Sequence, residues 1–263
     1  MKHWATTLFR LLWTCIPGSV RARLLPHVLF GISNSVQFQY GIPNLRGLLE
    51  HLRANGFSPE TILDVGAFIG DWSQVAHEVF PDARLFLIDA NPENRERLAL
   101  AASRFKRSDS RIALLGPEDR SEVSFYVHTS GSSVLREMTS FDREVKQLCM
   151  RRLDDVAAEC RCAGPFLLKL DVQGFELEVL RGAPATLRDS EVVILETSLL
   201  PYNQGAPLFG EVVAFLADAG FAVYDFCGQH RRQSDHALFQ TDVAFVRADS
   251  PLRACKKFWL TEP

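Results

Sequence analysis

The sequence predicts an α/β fold: a doubly wound, mostly parallel Rossmann-like sheet with an N-terminal helical extension. Three observations predict it. Short apolar runs of strand length alternate with helix-length amphipathic segments, which is the pattern of a sheet covered on both faces. Glycines follow the first apolar run directly. Carboxylates end four of the runs, at the sheet edge where open α/β folds bind ligands. The composition agrees: 47% of the 263 residues are apolar and 23% are charged, which excludes a disordered, collagen-like or coiled-coil chain.

The elements follow in order. Asn44 to Gly56, NLRGLLEHLRANG, has an N-cap residue, helical apolar spacing and a glycine stop. TILDVG (Thr61 to Gly66) reads as a buried strand entering a glycine turn, and DWSQVAHEVF as the helix behind it. RLFLID (Arg84 to Asp89) is a second strand; NPENRERLALAASRF is a helix with Pro92 in its first turn. RIALL (Arg111 to Leu115) is expected as a third strand, and EVSFYV alternates like a half-buried one. PFLLKLDV (Pro165 to Val172) and EVVILE (Glu191 to Glu196) are further buried strands, with helices after Gly174 and over GEVVAFLADAG. FAVYDFC and TDVAFVR close the sheet, with an antiparallel finish expected.

Three regions result: a basic, apolar extension over 1–43, a main domain over 44–250 and a tail over 251–263. Residues 1–49 hold five basic and no acidic side chains, so with a total of −3 the remainder carries −8. A body this acidic argues against nucleic-acid binding by phosphate neutralisation. In the extension Trp4, Leu8, Leu11 and Leu12 share a helical face, with Arg10 away from it. Its alternatives are a helix lying on an anionic membrane surface, making peripheral contact through residues 1–30, and a helix packed on its own domain. No apolar run reaches membrane-spanning length. The six cysteines are scattered, as expected of reduced thiols in a cytoplasmic protein.

The strand ends carry the chemistry. Gly66 and Gly70 let the backbone turn tightly and approach a ligand, presenting N–H groups near the next helix start. Asp89, 23 positions after Gly66, suits ribose hydroxyls. A nicotinamide dinucleotide would need glycines at 66, 68 and 71, but Phe68 and Asp71 stand at the last two. An NAD-linked oxidoreductase is therefore disfavoured. A cationic nucleoside tolerates Asp64 and Asp71 better, and S-adenosylmethionine (SAM) is one.

At this point the chain resembles the FkbM-type methyltransferases, from about Asn44 to Arg247. The resemblance rests on ILDVGAFIGDWS, FLIDANPENRERL, the Ser132-Ser133 pair, LLKLDVQGFELEVLRGA and ILETSLLPYN. It implies the class I methyltransferase sheet and a SAM-dependent enzyme, with a catalytically silent cofactor-binding module of the same fold as a further alternative. It also implies that Asp64, Gly66, Ala67, Phe68 and Gly70 surround the methionine part, while Asp89, Ala90 and Asn91 meet the adenosine. Phe68 replaces the family's usual Asn, and Asp89-Ala90 its commoner Glu-Pro.

An acceptor hydroxyl must lose a proton, so a base helps. Asp171 is the first candidate and Glu196 the second. Lys169, inside a covered strand, is expected to pair with a carboxylate such as Asp171 or Glu196, or to point into the site. A divalent metal is compatible with Asp171 and Glu196 but not demanded, because Gln173 between them is neutral. His128, His230 and His236 are loop candidates. His230-Arg231-Arg232 reads as a grip for an anionic substrate or as a solvated hairpin tip. The resemblance implies a small-molecule or glycan acceptor: a hydroxyl of a sugar, a glycolipid or a related metabolite. The oligomeric state is not readable from the sequence.

Overall fold

Asn44 starts the first described helix by accepting from Gly47 N at 2.8 Å, the expected N-cap. The helix, α1 (Leu45–Ala54), buries Leu48, Leu49 and Leu52. The computed structural model describes residues 41–128, 131–138 and 143–255. The extension over 1–43, with its two alternative readings, falls almost wholly outside them. Among the described residues no helix is long and apolar enough to cross a membrane.

β1 (Thr61–Val65), β2 (Arg84–Asp89) and β3 (Ser108–Ile112) build one half of the main sheet, with α2 (Asp71–Val79) and α3 (Arg95–Ala102) between them. β7 (Phe166–Leu170), β8 (Ser190–Ser198), β9 (Phe221–Arg231) and β10 (Leu238–Arg247) build the other half. The helices α5 (Glu176–Arg181), α6 (Pro184–Arg188) and α7 (Phe209–Asp218) connect these strands. The order across the sheet is β3-β2-β1-β7-β8-β10-β9. β3, β2, β1, β7 and β8 run parallel, and β10 is antiparallel to both β8 and β9. This is the doubly wound, mostly parallel sheet with the antiparallel finish that the alternation predicts. β1 and β7 are buried at every position because helices cover both faces. The chain winds outward from β1 in one direction and from β7 in the other. The β1/β7 carboxyl ends are therefore the switch point where a ligand crevice opens.

The expected single strand over Arg111 to Leu115 is two. Ser108–Ile112 pairs with β2, whereas β4 (Leu114–Leu115) joins a separate three-stranded sheet with β5 (Arg120–Val127) and β6 (Glu144–Arg151), in the order β4-β6-β5. Ala113 is the bend, its N–H donating to Asp89 O at 2.9 Å. The break is driven by burial: Leu114 and Leu115 are buried, Leu114 in a small core with Phe125 and Met150, away from the main sheet. β5 (Arg120–Val127) matches its sequence reading. β6 (Glu144–Arg151), α4 (Leu153–Glu159) and α6 were not anticipated; β6 buries only Met150, so its apolar period is too thin to read.

Candidate functional site

Beyond the ends of β1, β2 and β7 lies a cleft whose walls come from both sheets. Its lining is mainly apolar, from Phe68, Ile69, Trp72, Leu114, Phe125 and Phe175 among others. Asp89, Asn94, Ser132, Ser133, Asp171 and Gln173 supply polar points. Six of the eight expected cofactor residues line it: Gly66, Ala67, Phe68, Asp89, Ala90 and Asn91.

Asp64 and Gly70 do not; both support the wall from behind. Asp64 is fully buried, accepts from Ser73 Oγ at 2.6 Å and lies 3.1 Å from Lys169 Nζ. Gly70 caps α2 with φ +82, and a Cβ there would lie 2.8 Å from Ala101 Cβ. Gly66 is needed for close approach: with φ +76, its Cβ would fall 1.8 Å from the Asp171 carbonyl oxygen.

The turn's N–H groups do not face the cleft as expected. Gly66 and Ala67 donate to Ile88 O at 2.9 and 3.0 Å, and Phe68 donates to Asp89 Oδ2 at 2.8 Å. Phe68 itself has φ +49, a left-handed conformation that Asn adopts more readily than an aromatic residue. Asp89 also accepts at Oδ1 from Asn91 N (2.8 Å) and Asn94 Nδ2 (3.0 Å). Its carboxyl sits above the ordinary aspartate range because it is buried, an effect these three donors oppose. Oδ1 is thus filled by two donors, whereas Oδ2, with one, keeps a lone pair for a further donor.

Lys169 is register partner to Asp64. It donates to Gly66 O at 2.9 Å and stands 3.8 Å from Asp171 Oδ2. Burial alone would favour the neutral amine, but Asp64 and then Asp171 outweigh it and hold the ammonium above its usual value. Its partners are thus Asp64 and Asp171, and its amine lies along the cleft wall.

The segment after β7 is clamped from several sides. Gln173 has φ +57. Its carbonyl accepts from Ser133 Oγ at 2.9 Å and Asn203 Nδ2 at 2.7 Å, giving the serine pair of the sequence motif a structural role. Glu176 Oε1 accepts from Val172 N and Gly174 N at 2.9 and 3.1 Å. Burial pushes Glu176 up to about 7. The Gln173 amide bridges two carboxylates, donating to Asp171 Oδ1 (2.9 Å) and Glu196 Oε2 (3.1 Å).

Gln240 Nε2 donates to the same Glu196 oxygen at 2.7 Å. Glu196 is pushed to about 9, first by burial and then by Asp171, Glu176 and Asp242. Asp171 lines the cleft; Glu196 does not.

His230 lies on β9 rather than in a loop, with Asp242 Oδ2 3.8 Å from its Nε2. Asp242 raises its pKa against the effect of burial. His128 and His236 are exposed, the latter at the hairpin tip, where Arg232 pairs with Asp235 at 2.6 Å. Sequence reasoning missed Trp72, Asn94, Phe125, Phe175, Gln240 and Asp242. Only Asp242 left a signal, as a lone acid in the otherwise apolar run DVAFV.

The family model described as "Methyltransferase FkbM domain" matches residues 64–223. Solved structures with similarity include precorrin-6y C5,15-methyltransferase from Geobacter metallireducens, at 14% identity over 77% of this chain and 87% of that one, TM-score 0.42. The O-methyltransferase TomG from Streptomyces achromogenes, solved with SAM, is 15% identical over 81% and 87%, TM-score 0.44. Magnesium protoporphyrin IX methyltransferase from Synechocystis, with bound SAM, is 12% identical over 77% of each chain, TM-score 0.45. No curated protein matches the chain.

Proposed function

The chain belongs to the FkbM methyltransferase family, its matched domain covering residues 64–223 of 263, and from that premise we propose that it methylates a hydroxyl of a sugar, glycolipid or related polar metabolite. It is a SAM-dependent methyltransferase. One observation carries the rest of the reading: a single apolar cleft has the Asp89 carboxylate at one strand end and the Asp171 carboxylate at another. Those strands are two places apart in the sheet, about 10 Å at the usual strand spacing. That span suits a nucleoside gripped at its ribose, with its reactive substituent near Asp171.

The residues present fit the cofactor. Asp89 offers Oδ2, oriented by the Phe68 N–H, to a ribose hydroxyl, and the aromatic and leucine walls offer an apolar slot for a base. When bound, SAM supplies an electrophilic methyl group on a sulfonium. Gly66, held by Lys169 and unable to carry a side chain, brings the turn against the end of β7. Asp171 is the proposed base, because its carboxylate reaches the cleft while Gln173 holds one oxygen in place. Glu196, buried and turned toward the amides of Gln173 and Gln240, orients that cluster. Lys169 is a positioning residue. A hydroxyl-bearing acceptor is supported by the donors and acceptors gathered beyond Asp171: Gln173, Asn203, Glu196 and Gln240. The dinucleotide alternative is weakened further, since Asp71 lines the cleft and would repel a pyrophosphate.

Calorimetric titration with SAM, followed by transfer of a labelled methyl group to a panel of saccharides and glycolipids, tests this reading. Asp171→Asn should keep cofactor affinity and lose turnover by about 10²- to 10⁴-fold. Labelling of RNA or protein but no hydroxylic small molecule would overturn the acceptor class.

A further inference from the structure

We propose that Glu196, His230 and Asp242 form a binding site for one divalent transition-metal ion, one side chain beyond the cofactor cleft. Asp242 and Glu196 are register partners on β10 and β8, and His230 comes from β9 on the other side of β10. Three neighbouring strands thus aim a nitrogen and two oxygens at one point, all within 4.8 Å of one another.

The atoms surround a gap rather than bond to each other. His230 Nε2 is 3.9 Å from Glu196 Oε1 and 3.8 Å from Asp242 Oδ2, too far for hydrogen bonds. A tetrahedral ion with ligand bonds of about 2.1 Å spaces its ligand atoms about 3.4 Å apart. Both distances from the imidazole exceed that spacing by about half an ångström, so a modest closing of the side chains would bring it onto an ion.

Two further features point the same way. Glu196 is deeply buried, its side chain only 9% exposed. One of its oxygens is clamped by Gln173 and Gln240, which turns the other toward His230; outer hydrogen bonds of this kind orient metal-ligating carboxylates. Opposite Asp242 stands Gly228, where a Cβ would lie 1.9 Å from Asp242 Oδ2. Only a glycine lets that carboxylate lean across β9 toward the imidazole.

The donor set selects the ion. One imidazole with two carboxylates suits Zn²⁺ or Mn²⁺, whereas Mg²⁺ and Ca²⁺ prefer oxygen alone. Three protein ligands leave at least one position open. Gln173, which touches both Asp171 and Glu196, links the site to the cleft, and the open position would take water. The site stands on the geometry of β8, β9 and β10 and does not depend on which cofactor fills the cleft.

The test is titration of the full chain with Zn²⁺ by calorimetry and with Mn²⁺ by electron paramagnetic resonance, without SAM. One ion per chain is expected, with affinity falling at least tenfold in His230→Ala and in Asp242→Asn. His236→Ala, six residues away at the exposed hairpin tip, should bind as the wild type does. Thermal unfolding of each apo variant checks that it is folded. Failure to bind either ion at 1:1, or equal binding by His230→Ala and the wild type, would overturn the proposal. A failure to bind SAM would leave it standing and strike only at the cofactor reading.

Discussion

Asp64 and Lys169 are register partners on the two central strands, and their charged groups meet 3.1 Å apart with almost no exposure. The pair stands behind the glycine turn, and the lysine also holds the Gly66 carbonyl. Removing one partner strands a buried charge. Lys169→Met should therefore cost about 3–5 kcal/mol in chemical denaturation. The double variant Lys169→Met with Asp64→Leu should recover most of that loss. If the single variant is as stable as the wild type, the ion pair does not hold the turn.

Asp89 is the expected ribose anchor. Asp89→Asn keeps one acceptor oxygen but loses its charge, and charge-assisted hydrogen bonds contribute about 1.5–3 kcal/mol. SAM affinity should fall by roughly 10- to 100-fold, read by calorimetry. Unchanged affinity would place the ribose elsewhere.

Glu176 links stability to pH. Its folded pKa is about 7 against an ordinary 4.5, so within that window the folded chain keeps a proton that the unfolded chain has released. Stability falls as pH rises through the window, and the loss is complete above pH 7, at up to ~3 kcal/mol. Glu176→Gln keeps the oxygen that accepts from Val172 and Gly174. It should raise the melting temperature at pH 8 and leave it nearly unchanged at pH 4. A parallel shift at both values would mean that the carboxyl does not titrate there.

Two glycines with similar φ should respond differently to alanine. Gly205, with φ +74, has nothing within 4 Å of an added Cβ, so Gly205→Ala should cost only the backbone strain of about 1–2 kcal/mol. Gly66→Ala adds a collision with the Asp171 carbonyl at 1.8 Å. It should be markedly less stable and should also lose cofactor binding. Equal stabilities would show that β1 and β7 can separate at the turn.

Residues that act through local pattern could be read from the sequence. The buried runs TILDV, RLFLID and FLLKL, the Asn44 cap and the strand-end carboxylates announce themselves by period and position. Gly66 and Asp89 line the cleft for that reason, and Ala67, Phe68, Ala90 and Asn91, which the family resemblance implied, line it beside them. Phe125, Phe175 and Trp72 were hidden because an aromatic residue on a cleft wall has the same local pattern as one in a core. β6 left no signal because it buries only Met150, which is too little for a readable period.

The sequence by itself determined the α/β winding, the crevice at the switch point and the family to which the chain belongs, since each depends on short-range periodicity or contiguous motifs. Tertiary structure alone decided which charges meet. Lys169 is paired with Asp64, 105 positions away in sequence, through strand register. Glu196, His230 and Asp242 converge only because β10 inserts antiparallel between β8 and β9. Side-chain partners across a sheet are set by strand order and register, and those follow from the packing of the whole chain rather than from any local stretch of it.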